Sequence, residues 1–196
     1  MGWKRAAFAD EQRSLDADRF VFLDETGGRT PARSNVAMTR RCGRSPRGQR
    51  VYGSTPHRRG KNLTVIDEVS AAGVVCHQTV DGGVRGETFP AFVREVLLPA
   101  LRPGQIVVMD NLSSHKTTAV RAAFASAGIG VRYLPRYSPE WNPIELCWSK
   151  VKAYLRGVAS RTRERLREAV VEALARVSRA EVRSWIRHCG YQLTGS

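Results

Sequence analysis

Arg19-Phe20-Val21-Phe22-Leu23-Asp24-Glu25 is an apolar run that breaks off in two acids, and Gln105-Ile106-Val107-Val108-Met109-Asp110 repeats the design further along the chain. Apolar runs of this kind, without polar alternation, mark strands covered on both faces. Working outward, 62–69 and 74–80 flank Ala71-Ala72-Gly73 and read as a hairpin. Residues 130–134 read as a short strand stopped by Pro135. Helical spacing runs from Thr88 to Leu101 through Phe89, Phe92, Val93, Val96 and Leu97. Further helices are predicted over 117–127, closed by Gly128, and over 143–156, 162–177 and 179–188. The order is strand, hairpin, then α-β-α-β-α. It predicts an α/β fold with a mixed five-stranded sheet flanked by helices.

A chain of 196 residues, 42% hydrophobic and 26% charged, suits one globular domain. Collagen-like, coiled-coil and largely disordered chains are excluded. No apolar run approaches the roughly 20 residues of a membrane span. The first residues lead into Asp10, Glu11 and Arg13 with no signal-peptide core, so a cytosolic protein without membrane contact is expected. Cys42, Cys76, Cys147 and Cys189 are isolated and read as reduced thiols, not as a disulfide framework or a zinc site.

The net charge is +14, and Arg outnumbers Lys 27 to 5. Such a surplus predicts a polyanionic partner, nucleic acid first. It is concentrated: residues 26–66 carry +10 with no acid, residues 150–196 carry +7, and 67–149 carry −1. The Arg-rich segment, also rich in Gly, Pro, Ser and Thr, reads as a loop ordered on contact.

Asp24 and Asp110 each end four apolar residues. On neighbouring strands these carboxylates would lie about 5 Å apart. They would repel and shift each other's pKa. A hard divalent cation offsets that repulsion. Either Asp alone also reads as a strand-end turn former. The third acid is Glu145, in Asn142-Pro143-Ile144-Glu145, where Asn142 suits an N-cap and Glu145 the third helical position. That spacing predicts a capping box, a role compatible with a place near both Asp residues.

Taken together, Leu23-Asp24-Glu25-Thr26, Val108-Met109-Asp110-Asn111 with His115-Lys116, and Leu134-Pro135-x-Tyr137-Ser138-Pro139-x-x-Asn142-Pro143-Ile144-Glu145 with Trp148, Lys150 and Lys152 form one pattern. It resembles the catalytic domain of bacterial transposases of the mariner superfamily, insertion-sequence 630 branch. The 34 residues between Asp110 and Glu145 match that branch's spacing. Gly27, Trp141 and Cys147 depart from its commoner residues, none of them in the triad. The resemblance implies a ribonuclease-H-like fold over 19–190, with 26–61 as an Arg-rich insertion, 1–18 as an N-terminal remnant or linker and 191–196 as a tail. It implies Asp24, Asp110 and Glu145 as catalytic metal ligands for two Mg²⁺, or Mn²⁺ as substitute. The implied reaction is DNA cleavage by water followed by 3′-OH strand transfer at a TA target. A non-catalytic DNA-binding remnant and a cellular ribonuclease-H-like nuclease are the alternatives.

Asn111, His115 and Asn142 are candidate supports of the site. Asn111 reads equally as a turn former, and His115 as a loop histidine bonding backbone. Candidate DNA contacts are Arg40, Arg41, Arg44, Arg47, Arg50, Arg58, Arg59, Lys61, Lys116, Lys150 and Lys152. Glu25 points to the strand face opposite Asp24 and is not expected to share its ligand. Asp67, Glu68, Asp81 and Glu140 read as surface acids. Ile144, Trp148, Val151 and Leu155 form an apolar helix stripe. The expected partners are double-stranded transposon-end and TA-target DNA, and a second copy when paired on DNA. With 18 residues before Arg19, end recognition is expected from a separate or frameshift-joined helix-turn-helix chain.

Overall fold

The computed structural model describes residues 8, 10–12, 16–26, 45–50, 52, 63–84, 86–158, 160 and 162–194. Five strands form one mixed sheet: β1 (Phe20–Thr26), β2 (Leu63–Ser70), β3 (Gly73–Asp81), β4 (Ile106–Met109) and β5 (Gly130–Tyr133). Their order is β3-β2-β1-β4-β5. β1 runs antiparallel to β2 and parallel to β4, and β5 is parallel to β4. This is the ribonuclease-H-like sheet that the resemblance implied.

The hairpin of β2 and β3 turns at Ala71-Ala72. It leaves through Gly73 at φ 117°, a backbone region open to glycine. Helix α1 (Thr88–Phe92) runs on through a π-helical turn (Val93–Leu97) into a last turn (Leu98–Ala100). The sequence periodicity marked this stretch as one helix and did not foresee the π turn. Helix α2 (Thr118–Ser126) is capped by the Thr117 side chain, and the chain leaves it through Gly128 at φ 67°. Three helices follow: α3 (Ile144–Val158), α4 (Arg163–Leu174) and α5 (Arg179–His188). Ser178 and Glu181 form a capping box on α5.

Side-chain alternation along β1 divides the interior into two cores. Phe20 and Phe22 pack with Val65, Val69, Val108 and the buried faces of α3, α4 and α5. Val21 and Leu23 pack with Ile66, Val107, Met109 and the side chains of α1 and α2. Both faces are therefore covered, which explains why β1 and β4 lack polar alternation. The stripe Ile144, Trp148, Val151 and Leu155 is fully buried, as its spacing predicts. Phe8 stacks on Trp141 at 5.1 Å, and Gln12 donates to the Cys189 carbonyl at 2.8 Å. Tyr191, read from sequence as the start of a tail, is a core residue set edge-on against Phe20 and Phe22. Its hydroxyl donates to the Trp141 carbonyl at 2.8 Å.

Two surface readings are corrected. Asp67 and Glu68 are fully buried, because all of β2 is covered. Asp81 is exposed, as expected, and pairs with Arg163 and Arg167.

Candidate active site

β1 and β4 are adjacent and parallel, with Phe20 opposite Ile106 and Phe22 opposite Val108. Continuing that register brings Asp24 opposite Asp110 at the same end of the sheet. Paired strands lie about 4.8 Å apart, and the last paired residues are Phe22 and Val108. Four buried apolar residues anchor β1 up to Asp24, so the carboxylate leaves the core where the strand emerges. Its Oδ2 accepts the Trp148 Nε1–H at 3.2 Å. Trp148 lies three residues after Glu145, so both side chains share one helix face. The core aromatic of α3 thus fixes Asp24 beneath the turn that carries the exposed Glu145.

Burial raises the Asp24 pKa, and the charges of Glu145 and Asp110 raise it further, to about 7. The Glu25 backbone amide works the other way. Asp24 therefore sits in the like-charge field of both other acids. Among the described residues, no group of three or more His, Cys, Asp or Glu side chains is drawn into a single metal-ligating cluster. The donors are nonetheless all carboxylate oxygens, the chemistry that Mg²⁺ and Mn²⁺ take.

Asp110 is half-buried, and its Oδ1 accepts the Leu112 backbone N–H at 3.0 Å. His115 Nδ1 lies 2.8 Å from the same oxygen, and His115 Nε2 lies 3.2 Å from Glu25 Oε1. Burial opposes a charge on His115, but the contacts with Asp110 and Glu25 outweigh it and push the imidazole up to about 9. The His115 ring lies between two acids, Asp110 and Glu25. Glu25 does point away from Asp24's face, yet it enters the site through that ring. Sequence reasoning missed this link, because a strand-face argument follows neighbours along β1 and not the loop after β4.

The capping box expected at Glu145 is absent. Asn142 is buried with Oδ1 unbonded, and only its backbone carbonyl serves α3, accepting the Glu145 N–H at 3.1 Å. Glu145 is therefore not occupied in a cap. Asn111 Oδ1 is likewise buried without a hydrogen-bond partner.

Of the basic candidates, Arg40, Arg41, Arg44, Arg58, Arg59 and Lys61 lie outside the described residues. Arg47 and Arg50 are exposed, with the Arg50 guanidinium 5.8 Å from the Tyr52 ring centre. Lys116 sits 5.0 Å over the Tyr133 ring. Lys150 is committed internally: its Nζ reaches both Glu181 oxygens at 2.6 and 2.7 Å and the Arg176 carbonyl. Lys152, one turn on from Trp148, is half-buried.

A family model described as DDE superfamily endonuclease matches residues 19–167, most of the chain and all three acids. The chain belongs to the DDE superfamily of endonucleases. No curated protein sequence matches it. Among solved structures, this DDE chain is similar to the Mos1 transposase paired-end complex with left transposon end, at TM-score 0.70 and 18% identity. That match covers 94% of this chain and 56% of the other. The mariner Mos1 paired-end complex with Mg matches at TM-score 0.68 and 17% identity, over 94% and 57%. The catalytic domain of Mos1 mariner transposase matches at TM-score 0.54 and 16% identity, over 95% and 79%. At these identities the likeness is one of fold. The DDE chain spans little more than half of the Mos1 chains in the complexes. No helix among the described residues is long and apolar enough to cross a membrane.

Proposed function

We propose that this DDE domain is the catalytic part of a transposase, of the insertion-sequence 630 branch and bacterial, that cuts and joins DNA strands. The observation that carries the reading is the placement of Asp24: fixed by Trp148, and raised by burial together with the charges of Glu145 and Asp110. An arrangement so unfavourable to three carboxylates is offset by divalent cations. Asp24, Asp110 and Glu145 would hold two Mg²⁺, or Mn²⁺. Solved Mos1 complexes with Mg and with Mn support this choice of metal.

Two such ions, when bound, supply activation of the attacking oxygen and stabilisation of the departing 3′ oxygen. The chain's own part is positional. Asp24 and Asp110 project from adjacent strand ends, Glu145 projects from the start of α3, and Trp148 keeps α3 and β1 in register. The substrates are double-stranded transposon ends and a TA target, gripped at phosphates by the exposed Arg47 and Arg50 and the other arginines of 26–61. A second copy would pair with it on DNA, a reading supported by the Mos1 paired-end complex. A separate helix-turn-helix chain would read the ends.

The test is Mg²⁺-dependent nicking of element-end duplex by the wild type and by Asp24→Asn, Asp110→Asn and Glu145→Gln. The expected result is loss of cleavage in all three with DNA affinity retained. Equal nicking by Asp24→Asn sinks the reading, and cleavage of only an RNA–DNA hybrid favours a cellular nuclease.

A further inference from the structure

We propose that Glu25 and His115 form a positioning pair for Asp110, holding its carboxylate in one orientation so that Oδ2 is the oxygen presented to a divalent ion. The inference rests on the metal reading above and adds two residues to it.

The His115 side chain is 1% exposed and is held from every side. The Phe89 ring lies against it, with centres 4.2 Å apart and planes tilted by 32°. Its backbone N–H donates to the Leu112 carbonyl at 3.2 Å, and its carbonyl accepts the Tyr133 hydroxyl at 3.0 Å. The imidazole therefore has one place to be, and in that place its two nitrogens meet Asp110 Oδ1 and Glu25 Oε1. Asp110 Oδ1 accepts the Leu112 N–H and lies 2.8 Å from the ring's Nδ1, a close polar contact that is not aligned as a hydrogen bond. Oδ2 has no partner among the described residues. A carboxylate fixed through one oxygen rotates only by breaking both contacts. Glu25 lies on the opposite strand face from Asp24 and so does not join it as a ligand. What it does is hold the far nitrogen of the ring that holds Asp110. Outer partners of this kind are worth roughly 10- to 100-fold in metal affinity.

The experiment measures Mn²⁺ binding to the DNA-free chain by calorimetry for the wild type, Glu25→Gln and His115→Leu, with melting curves and DNA affinity in EDTA as controls. Glu25→Gln removes a negative charge near the ions and its field with it, so that variant alone does not separate the two effects. His115→Leu removes no anion, so weaker binding in it reports the lost contact with Asp110. Positioning moves both the same way, to weaker binding by about tenfold or more, with DNA affinity unchanged. Unchanged Mn²⁺ affinity, or shifts of opposite sign, overturns the proposal and leaves the metal reading intact. Loss of a cooperative melt in both variants marks the pair as structural and overturns it as well. A wild-type chain that takes up no Mn²⁺ overturns the metal reading and the pair together.

Discussion

Asp24 and Asp67 are direct partners across the antiparallel ladder of β1 and β2, so their side chains share one face of the sheet. Asp67 lies fully buried there, its Oδ2 3.8 Å from the Cys147 thiol and its Oδ1 without a hydrogen-bond partner. Glu68 points to the other face and accepts the Cys76 S–H at 2.6 Å. Burial raises Asp67 to about 8, against the pull of the Glu68 backbone amide and the Cys147 thiol. Burial raises Glu68 to about 8 too, against its bond from Cys76. The most covered strand thus holds two acids that keep their protons at neutral pH.

These two acids make stability fall as pH rises. Each folded pKa lies above its ordinary value of 3.8 or 4.5. Between about 4 and 8 the folded chain keeps protons that the unfolded chain has released, so unfolding gains ground at about 1.4 kcal/mol per pH unit for each acid. Glu68→Gln should remove one such increment from the slope of stability against pH, and Asp67→Asn another. Both variants should be more stable than the wild type at pH 8 and closer to it at pH 4.5. Urea melts at these two pH values decide it; an unchanged slope in Glu68→Gln would mean the acid is ionised in the fold.

Trp148 is asked to fill the core and to hold Asp24. Trp148→Phe keeps most of the apolar burial but removes the Nε1–H donor. A hydrogen bond to a carboxylate is worth about 1.5–3 kcal/mol. We expect a modest fall in melting temperature together with a loss of cleavage of tenfold or more, read in the nicking assay at saturating DNA. Normal cleavage by a destabilised Trp148→Phe would assign the indole to packing alone.

What the sequence could show follows from range. Apolar runs and helix stripes depend on neighbours a few residues apart, so the five strands, the buried stripe of α3 and the strand-end positions of Asp24 and Asp110 were legible. Asp67 and Glu68 were misread because two adjacent acids in a hairpin look solvated. Only the helices packed on the two sides of the sheet, α4 and α5 against Val65 and Val69 and α1 against Ile66, show that neither face of that strand meets water. The contact of His115 with Glu25 spans 90 residues and leaves no periodic trace. The internal pairing of Lys150 depends likewise on where α5 docks.

That pairing separates a structural cation from those proposed to face DNA. Lys150→Ala strips Glu181 of its ion pair and should lower the melting temperature while leaving the salt dependence of DNA binding unchanged. Arg47→Ala with Arg50→Ala removes two exposed cations, and should reduce the log–log salt slope by about 2 without a change in melting temperature. Fluorescence anisotropy across a salt series, beside thermal melts, tests both. A flatter slope in Lys150→Ala would show that this lysine leaves Glu181 for phosphate.

Tyr137 is 87% exposed and sits at φ 57°, the one non-glycine residue in the left-handed region among those described. It lies in the loop between β5 and α3, on the approach to Glu145. A non-glycine residue there costs on the order of 1 kcal/mol. On the proposed transposase reading, an exposed aromatic face in the loop that leads to Glu145 is a surface on which a base or a sugar can stack. Tyr137→Gly relieves the backbone and removes the ring. It should hold or slightly raise the melting temperature while weakening DNA binding at least threefold, whereas Tyr137→Phe should bind as the wild type does. Anisotropy titrations and melts on the three proteins separate the outcomes. A lower melting temperature in Tyr137→Gly with unchanged DNA affinity would assign the ring to the fold and remove it from the DNA path.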